Sequence, residues 1–505
     1  MKIKELIWRV PLAILGGLIA LYAFPTESIW ILAPLIPAVI LVATLGLNFW
    51  PATLIGFLAS QAFYISHIEW IALYLGPVPL LALSTLMSFY FAFGVGLTAW
   101  LYRRWSPKKL GLIWFSLASA SIWTFREFLA NNFPYGGFPW SRLSMTQPDS
   151  FLGQWVYLGG LSLLSFALAF AGGVIALWFL HRKGRNQMRR LPALVSLGAV
   201  VLVPLLVLAL NNPASVGQKT VAAVQGNANA GLFSNLSQGT ILDNHLSASE
   251  LIFESPLAKD VDLLVWPENS SDIDPLRNQD AAKSIDELAQ RLDAPFVFGT
   301  ITKRGDESFN STLHWVPGVG AVDYYDKTQP VPFAEYVPDR AFWRMLAPDL
   351  IDLVPRGFSF GSRDGIYEIS DGFVAGTLIC FEIAEDSIQR ELVAGGAEII
   401  LSQTNNADFG YSDETYQQAG IARLRAIETG RTVVNISTVG LSAIYAPTGA
   451  EIASLTWYEP GAMVEKLSLY KHTTPAMVIG PAFDYLNAAA VIGLVGFMRF
   501  RRKRR

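Results

Sequence analysis

The sequence predicts a polytopic α-helical membrane domain of about eight spans joined to one layered α/β domain outside the membrane, and three observations predict it. Composition is the first: 52% hydrophobic and 16% charged residues, with a mean hydropathy of +0.36, are too apolar for an ordinary soluble enzyme. The second is charge. Residues 211–475 hold 35 of the 41 acidic and 18 of the 38 basic residues, a balance of -17 against +14 for the rest of the chain. The third is that long apolar segments lie on both sides of this acidic stretch. No nucleic-acid partner is expected, because a nucleic-acid binder concentrates its basic residues on the folded domain.

Apolar segments lie near residues 7–23, 28–47, 50–67, 77–102, 110–129, 155–180, 192–210 and 476–498. Several reach the ~20 residues needed to cross a bilayer, and 50–67 is short enough to be tilted, kinked or re-entrant. Residues 7–23 read as a retained first helix, since no small-residue cleavage site follows and another apolar segment soon begins. Domain boundaries follow: 1–210 for seven spans, 211–475 for the α/β domain, and 476–505 for the last span with its basic tail. Basic residues then set orientation. Lys2, Lys4 and Arg9 open the chain; Arg103, Arg104, Lys108 and Lys109 follow the fourth span. Arg182, Lys183, Arg185, Arg189 and Arg190 follow the sixth, and the tail from Arg499 to Arg505 closes the chain. With eight spans all of these share one side, so both termini are expected in the cytoplasm and residues 211–475 outside it. Only Arg126 and Arg142 lean the other way. Few ionisable residues lie within the spans, and the exceptions, Glu127 beside Arg126 and Asp484 in the last span, read as structural or interfacial rather than as a translocation path.

Inside 211–475, strands are expected at Thr220–Val224, Asp262–Trp266, Pro295–Ile301, Ala321–Tyr325, Phe373–Ile379, Glu398–Ser402 and Arg431–Ser437. Helical spacing runs through Ala281–Leu292, Glu385–Ala394 and Asp413–Thr429; in the last, Tyr416, Gly420, Leu424 and Ile427 share a face. Strands such as Leu263–Val265 and Ile399–Leu401 are apolar without alternation, so both faces of the sheet should be covered. There is no repeat, no low-complexity tract and no metal-ligand spacing, and neither metal nor cofactor is expected.

Cys380 is the only cysteine in the chain, which excludes an internal disulfide and a multi-thiolate metal site. It closes the apolar run Phe373–Ile379 and is followed by Phe381 and Glu382, a placement where α/β proteins display a nucleophile. A small buried hydrophobe is the alternative for an isolated cysteine. Two other polar features end strands. Leu263-Leu-Val-Trp-Pro-Glu268-Asn places a carboxylate where proline stops the ladder. Tyr324-Tyr-Asp-Lys327-Thr-Gln-Pro-Val-Pro-Phe-Ala-Glu335 supplies an ammonium and a second carboxylate. Taken singly, Glu268 could be a helix-initiating acid, Lys327 a solvated loop charge and Glu335 a surface residue. Together, and beside the only thiol, they form a constellation. The histidines His67, His181, His245, His314 and His472 sit in no comparable motif, which disfavours a Cys-His hydrolase.

In order and spacing these motifs resemble the nitrilase superfamily, whose Glu-Lys-Cys triad sits on an αββα sandwich: Glu268 in WPEN, Lys327 in YYDKTQPVPFAEYVP and Cys380 in TLICFE. With spans before and after the domain, the chain resembles the apolipoprotein N-acyltransferases in particular. The resemblance covers nearly the whole chain, including Gly137-Phe-Pro-Trp140 and Val224-Gln-Gly-Asn227. It implies transfer of an acyl chain from a phospholipid donor to the α-amino group of a diacylglyceryl-cysteine lipoprotein, in the bacterial plasma membrane, by a multi-pass monomer. Two positions depart from the family's pattern: Phe381 stands where tyrosine is frequent, and Asp408 stands where an aromatic is frequent, in the turn Asn405-Asn406-Ala-Asp408-Phe-Gly410 taken to contact the donor.

The residues also make chemical sense by themselves. Acyl exchange through a covalent intermediate needs a nucleophile, a proton carrier and a stabilised oxyanion. Cys380 suits the first role and Glu268 the second; the Lys327 ammonium, with the N–H of Phe381, suits the third. Glu335 is expected to orient Lys327, while Glu382 either positions the amine or braces the turn. Residues 341–351 (AFWRMLAPDLI) are unusually apolar for an acidic domain and are expected to form an interfacial lid. In it Trp343 and Leu346 meet lipid and Arg344 meets a phosphate; an arm packed on its own domain is the alternative. Two rival classes are a membrane-tethered amidase acting on a small amide, which would share the triad but need a closed polar pocket, and a transporter or receptor carrying a degenerate enzyme fold.

Overall fold

The computed structural model describes residues 3–105, 111–181, 190–228, 237–352, 354 and 357–503. Of the basic positions used for orientation, Lys2, Lys108, Lys109, Arg182, Lys183, Arg185, Arg189, Arg504 and Arg505 lie outside the described residues. The chain divides into two compact units, Met1–Asn212 with Thr474–Arg505, and Pro213–Thr473.

The first unit is helical. Among the described residues five helices are long and apolar enough to cross a membrane: Leu6–Ala23, Pro77–Arg104, Phe151–His181, Leu191–Leu210 and Pro475–Phe500. The other three expected spans are helical but fall short of that standard. Residues 28–47 break at Pro34 into a turn, Trp30–Leu32, and a ten-residue helix, Leu35–Thr44. Phe49–His67 and Leu112–Asn132 have the length, 19 and 21 residues, but dilute their apolar character with Gln61 and His67 in one and Arg126 and Glu127 in the other. Arg126 and Glu127 are buried and paired at 3.2 Å. Glu127 also accepts from Trp123 Nε1 at 2.9 Å and Leu143 N at 3.1 Å, so its charge is spent on structure. Leu191, Leu194, Leu202 and Leu206 are all exposed, a continuous apolar surface suited to hydrocarbon rather than water.

The second unit is a four-layered sandwich of two six-stranded sheets. One sheet has the order β12-β1-β2-β3-β4-β5: β1 (Gly217–Gln225), β2 (Leu263–Val265), β3 (Phe296–Arg304), β4 (Glu307–Val316), β5 (Gly320–Asp326) and β12 (Gly461–Leu469). The other has the order β11-β10-β9-β8-β7-β6: β6 (Ile366–Ser370), β7 (Phe373–Ile379), β8 (Ile399–Thr404), β9 (Thr432–Ser437), β10 (Ser442–Tyr445) and β11 (Glu451–Leu455). In each sheet three central strands run parallel (β1-β2-β3 and β7-β8-β9) and the flanking pairs are antiparallel.

Strand periodicity explains the layering. Val221, Ala223, Leu263, Val265 and Val297 point inward against Ala375, Ile379, Ile399, Leu401, Val434 and Ile436 of the facing sheet. Their neighbours Ala222, Val224, Leu264, Trp266, Phe296 and Phe298 point outward and are covered by the helices Thr240–Ser249 and Gln279–Leu292. Both faces are therefore dry, which is why these strands lack polar alternation. Strands β4, β6, β10, β11 and β12 were not expected from sequence; they are mostly flanking or edge strands that carry polar residues, such as Glu307-Ser-Phe-Asn-Ser-Thr in β4 and the largely exposed β11. Of the residues expected to share a face of the Glu414–Thr429 helix, Leu424 and Ile427 are buried. Tyr416 and Gly420 are its partly exposed side, while Glu414, Gln417, Gln418 and Arg425 are buried. Hydrogen bonds make that burial tolerable: Arg425 donates to Ile383 O at 2.8 Å and to Ala384 O and Asp386 at 2.7 Å.

Candidate active site

Three strand ends deliver the polar groups. After β2, Trp266 stays in register, donating its N–H to Val297 O at 3.0 Å, and Pro267 then ends the ladder. The chain carrying Glu268 crosses so close to β3 that a β-carbon on Gly299 would lie 2.6 Å from Glu268 Cα, so only glycine fits there. Lys327 follows β5 directly, and its N–H donates to Asn310 O of β4 at 2.8 Å. Cys380 follows β7 and adopts a left-handed conformation (φ 54°) at the start of the turn Cys380–Ala384. A non-glycine residue held there is strained, and such strain persists only where surrounding structure imposes it.

Glu382 is what imposes it. Its fully buried carboxylate accepts from Ile379 N at 2.8 Å, Thr328 N at 2.8 Å, Gln329 N at 3.1 Å and Tyr325 Oη at 2.9 Å. Of the two roles expected for Glu382, the contacts fit bracing: it ties the cysteine turn to the Lys327 loop.

The expected residues converge. Lys327 Nζ lies 2.8 Å from Glu335 Oε2 and 3.9 Å from Glu268 Oε1, with its side chain only 2% exposed. Asn310 Nδ2 bridges the two carboxylates, donating to Glu268 Oε1 at 2.7 Å and Glu335 Oε1 at 3.0 Å. Glu335 Oε2 also accepts from Val331 N at 2.7 Å, and the Glu268 carboxyl is near enough to the Cys380 thiol for its charge to disfavour the thiolate. Gln418 Nε2 stands 3.8 Å from Cys380 Sγ.

Burial governs the electrostatics. Burial pushes the Glu268 carboxyl up to about 7, with Lys327 opposing and Glu335 reinforcing the rise. Burial by itself would push the Lys327 ammonium down, but the carboxylates of Glu335 and Glu268 outweigh it and hold the ammonium above its ordinary value. Burial and the nearby Glu268 raise the Cys380 thiol well above the usual range, against the pull of Lys327. The resting site therefore holds a neutral thiol, a permanent cation and a carboxyl poised to exchange a proton near neutrality.

The residues expected to contact substrate fare differently. Trp343 is half-buried against Phe333, with rings 5.3 Å apart, while Leu346 is 64% and Met345 77% exposed. Arg344 pairs with Asp352 at 3.0 Å on the surface. Asp408 is partly buried in the short turn Ala407–Phe409. Asn406 is a correction: its side chain is buried and saturated by Thr404, Ser437, Glu414 and Gln418, so it does not offer its amide to a donor lipid. Asn310, Glu414 and Gln418 were missed. Polar residues at positions i and i+4 of a mixed helix, and an asparagine inside a strand, were the only signals they gave.

A two-sheet sandwich that gathers a thiol, two carboxylates and a lysine at its strand ends defines a carbon–nitrogen hydrolase domain, and the sequence profile described as Carbon-nitrogen hydrolase matches residues 220–471. The profile of the Apolipoprotein N-acyltransferase N-terminal domain matches residues 16–174. The chain is 32% identical over 470 residues to the apolipoprotein N-acyltransferase of Mycolicibacterium smegmatis, covering 87% of this chain and 76% of that protein. It is 28% identical over 503 residues to that of Vibrio cholerae, covering 97% and 96%. An amidase of the nitrilase superfamily from Nesterenkonia AN1 aligns over 53% of this chain and 96% of its own at 18% identity, with a TM-score of 0.40. The chain belongs to the apolipoprotein N-acyltransferase family. It is a multi-pass membrane enzyme that transfers acyl groups to the amino group of apolipoproteins.

Proposed function

We propose that Cys380 carries the acyl chain as a thioester between a phospholipid donor and the α-amino group of a diacylglyceryl-cysteine acceptor. The observation that supports this is the gathering, at the strand ends beside Cys380, of a buried Glu268 carboxyl and a buried Lys327 ammonium 3.9 Å apart. In the first half-reaction the Cys380 sulfur attacks the ester carbonyl and its proton passes to Glu268. The tetrahedral oxyanion is met by the Lys327 ammonium and the N–H of Phe381. Collapse breaks the C–O bond, Glu268 returns the proton to the departing lysophospholipid alkoxide, and the thioester remains. In the second half-reaction the neutral amine attacks, Glu268 takes its proton, the C–S bond breaks and the thiol is restored by that proton. Glu335 holds Lys327 in place and keeps it charged. Each chain carries all of these groups, so a monomer suffices. Intact mass after incubation with phospholipid alone tests the scheme: a single acyl increment that disappears on adding a diacylglyceryl peptide is expected, and release to water at the same rate would favour a hydrolase.

The topology proposed is eight spans, with the three less apolar helices crossing as part of the bundle, residues 211–475 on the extracytoplasmic side and both termini in the cytoplasm. Basic residues at Arg103, Arg104 and the Arg499–Arg505 tail support it. In a Cys380→Ser background, a cysteine placed at exposed Val319 should react with an impermeant thiol reagent in intact cells. Reaction only after lysis would reverse the orientation.

The short helices Arg340–Leu346 and Pro348–Ile351 are proposed as the lipid-facing lid, because Phe342, Met345 and Leu346 leave their apolar side chains exposed. Replacing Trp343 and Leu346 together with aspartate should weaken turnover of phospholipid in bilayers at least tenfold, while small-reagent alkylation of Cys380 changes little. Unaltered lipid kinetics would return the segment to ordinary packing.

A further inference from the structure

A second polar cluster reaches the reactive sulfur from the Glu414–Thr429 helix. Glu414 and Gln418 are one helical turn apart, and both are buried. Asn406 stands between them: its Nδ2 donates to Glu414 Oε2 at 2.6 Å and to Gln418 Oε1 at 2.8 Å. The Asn406 oxygen in turn accepts from the hydroxyls of Thr404 and Ser437. In this arrangement the Gln418 oxygen is occupied and its nitrogen is turned to Cys380 Sγ, 3.8 Å away. The backing is tight. A β-carbon on Gly440 would lie 2.3 Å from Asn406 Oδ1, Gly440 N donates to Ser437 Oγ at 2.9 Å, and Leu441 N donates to Thr415 Oγ1 at 2.8 Å.

We propose that Gln418 is a further catalytic residue, whose amide N–H stabilises the Cys380 sulfur as it becomes anionic, and that Asn406 and Glu414 are the positioning residues that aim that amide. The inference rests on Cys380 being the nucleophile. The sulfur lies among the acids Glu268, Glu335 and Glu414, with Lys327 the one cation acting on it, so little positive charge is at hand to stabilise a thiolate. Each half-reaction places negative charge on that sulfur, first as attacking nucleophile and then as leaving group. A neutral N–H donor lowers the cost of that charge and adds none of its own. Glu414 fits the same requirement: burial first, opposed by the Asn406 hydrogen bond and assisted by Glu268, raises its carboxyl to about 8, so at neutral pH it serves Asn406 as an uncharged group. Lost hydrogen bonds to a charged partner correspond to about 10- to 100-fold in rate.

The test measures thioester formation by intact mass in single turnover, together with the pH dependence of Cys380 alkylation by iodoacetamide, on the full-length enzyme. Gln418→Met, which keeps the length and removes the donor, should slow thioester formation by about 10- to 100-fold and move the alkylation midpoint to higher pH. Gln418→Glu, which keeps an acceptor for Asn406, should show the same two changes, and serves if the methionine variant does not fold. Glu414→Ala should lower the rate and Glu414→Gln should recover most of it. Thioester formation at the wild-type rate with an unmoved alkylation midpoint in both Gln418 variants would overturn the proposal while leaving Cys380 as nucleophile. Absence of any thioester in the wild-type enzyme would instead remove the reading on which it rests.

Discussion

Cys380→Ala should abolish acyl transfer outright while leaving the enzyme folded and membrane-inserted. No other thiol exists in the chain to take over the covalent step. The substitution removes one sulfur atom from a turn whose conformation is held by Glu382 rather than by the cysteine, so the fold should survive. Intact mass should show no acyl increment with phospholipid, and thermal unfolding should stay close to that of the parent. Substantial lipoprotein acylation by this variant would mean that the covalent route is wrong.

Glu268→Gln should slow both half-reactions together, by ~10²–10⁴-fold, because one group carries the proton in each. It should also change the shape of the pH profile. In the proposed scheme the unprotonated carboxylate is the base, and burial raises its titration to about 7, so the parent rate should rise as pH increases through that value. The glutamine variant should lose that limb. Lys327→Ala should cost ~10²–10³-fold or more through the oxyanion. It should also lower stability, since Glu335 and Glu268 would remain buried with no cation between them. An acid limb that persisted unchanged in Glu268→Gln would assign the titration to another group.

The parts legible in the sequence were those fixed locally. A run such as Phe373–Ile379 is too apolar and too short to be anything but a covered strand, and the structure bounds it at the same residues. Glu268, Lys327 and Cys380 could be singled out because each lies at or just past the end of a strand. The groups that complete the site could not, because their roles are set by tertiary contact. Asn310 sits in an antiparallel strand too polar to stand out, yet its one amide nitrogen joins both carboxylates. Asn406 shows the opposite error: a polar residue in a turn suggested contact with a ligand, whereas its hydrogen bonds are all consumed inside the protein. The membrane helices read well in position and less well in number, because Arg126 and Glu127 or a proline at residue 34 lower apolarity without ending the helix bundle.

The proposed reacting groups come from different sheets: Glu268 and Lys327 lie past β2 and β5 of one, Cys380 follows β7 of the other. The range between nucleophile and base is thus set by the spacing of the two sheets, which side chains such as Val265, Ile379 and Leu401 fill. The apolar interior acts as a spacer gauge for the chemistry, and the Glu382 brace clamps its two jaws at one setting. A methyl group added or removed between the sheets would leave every polar residue present and still put the sulfur at the wrong range for its proton acceptor, where an error of about 1 Å is worth roughly a hundredfold in rate.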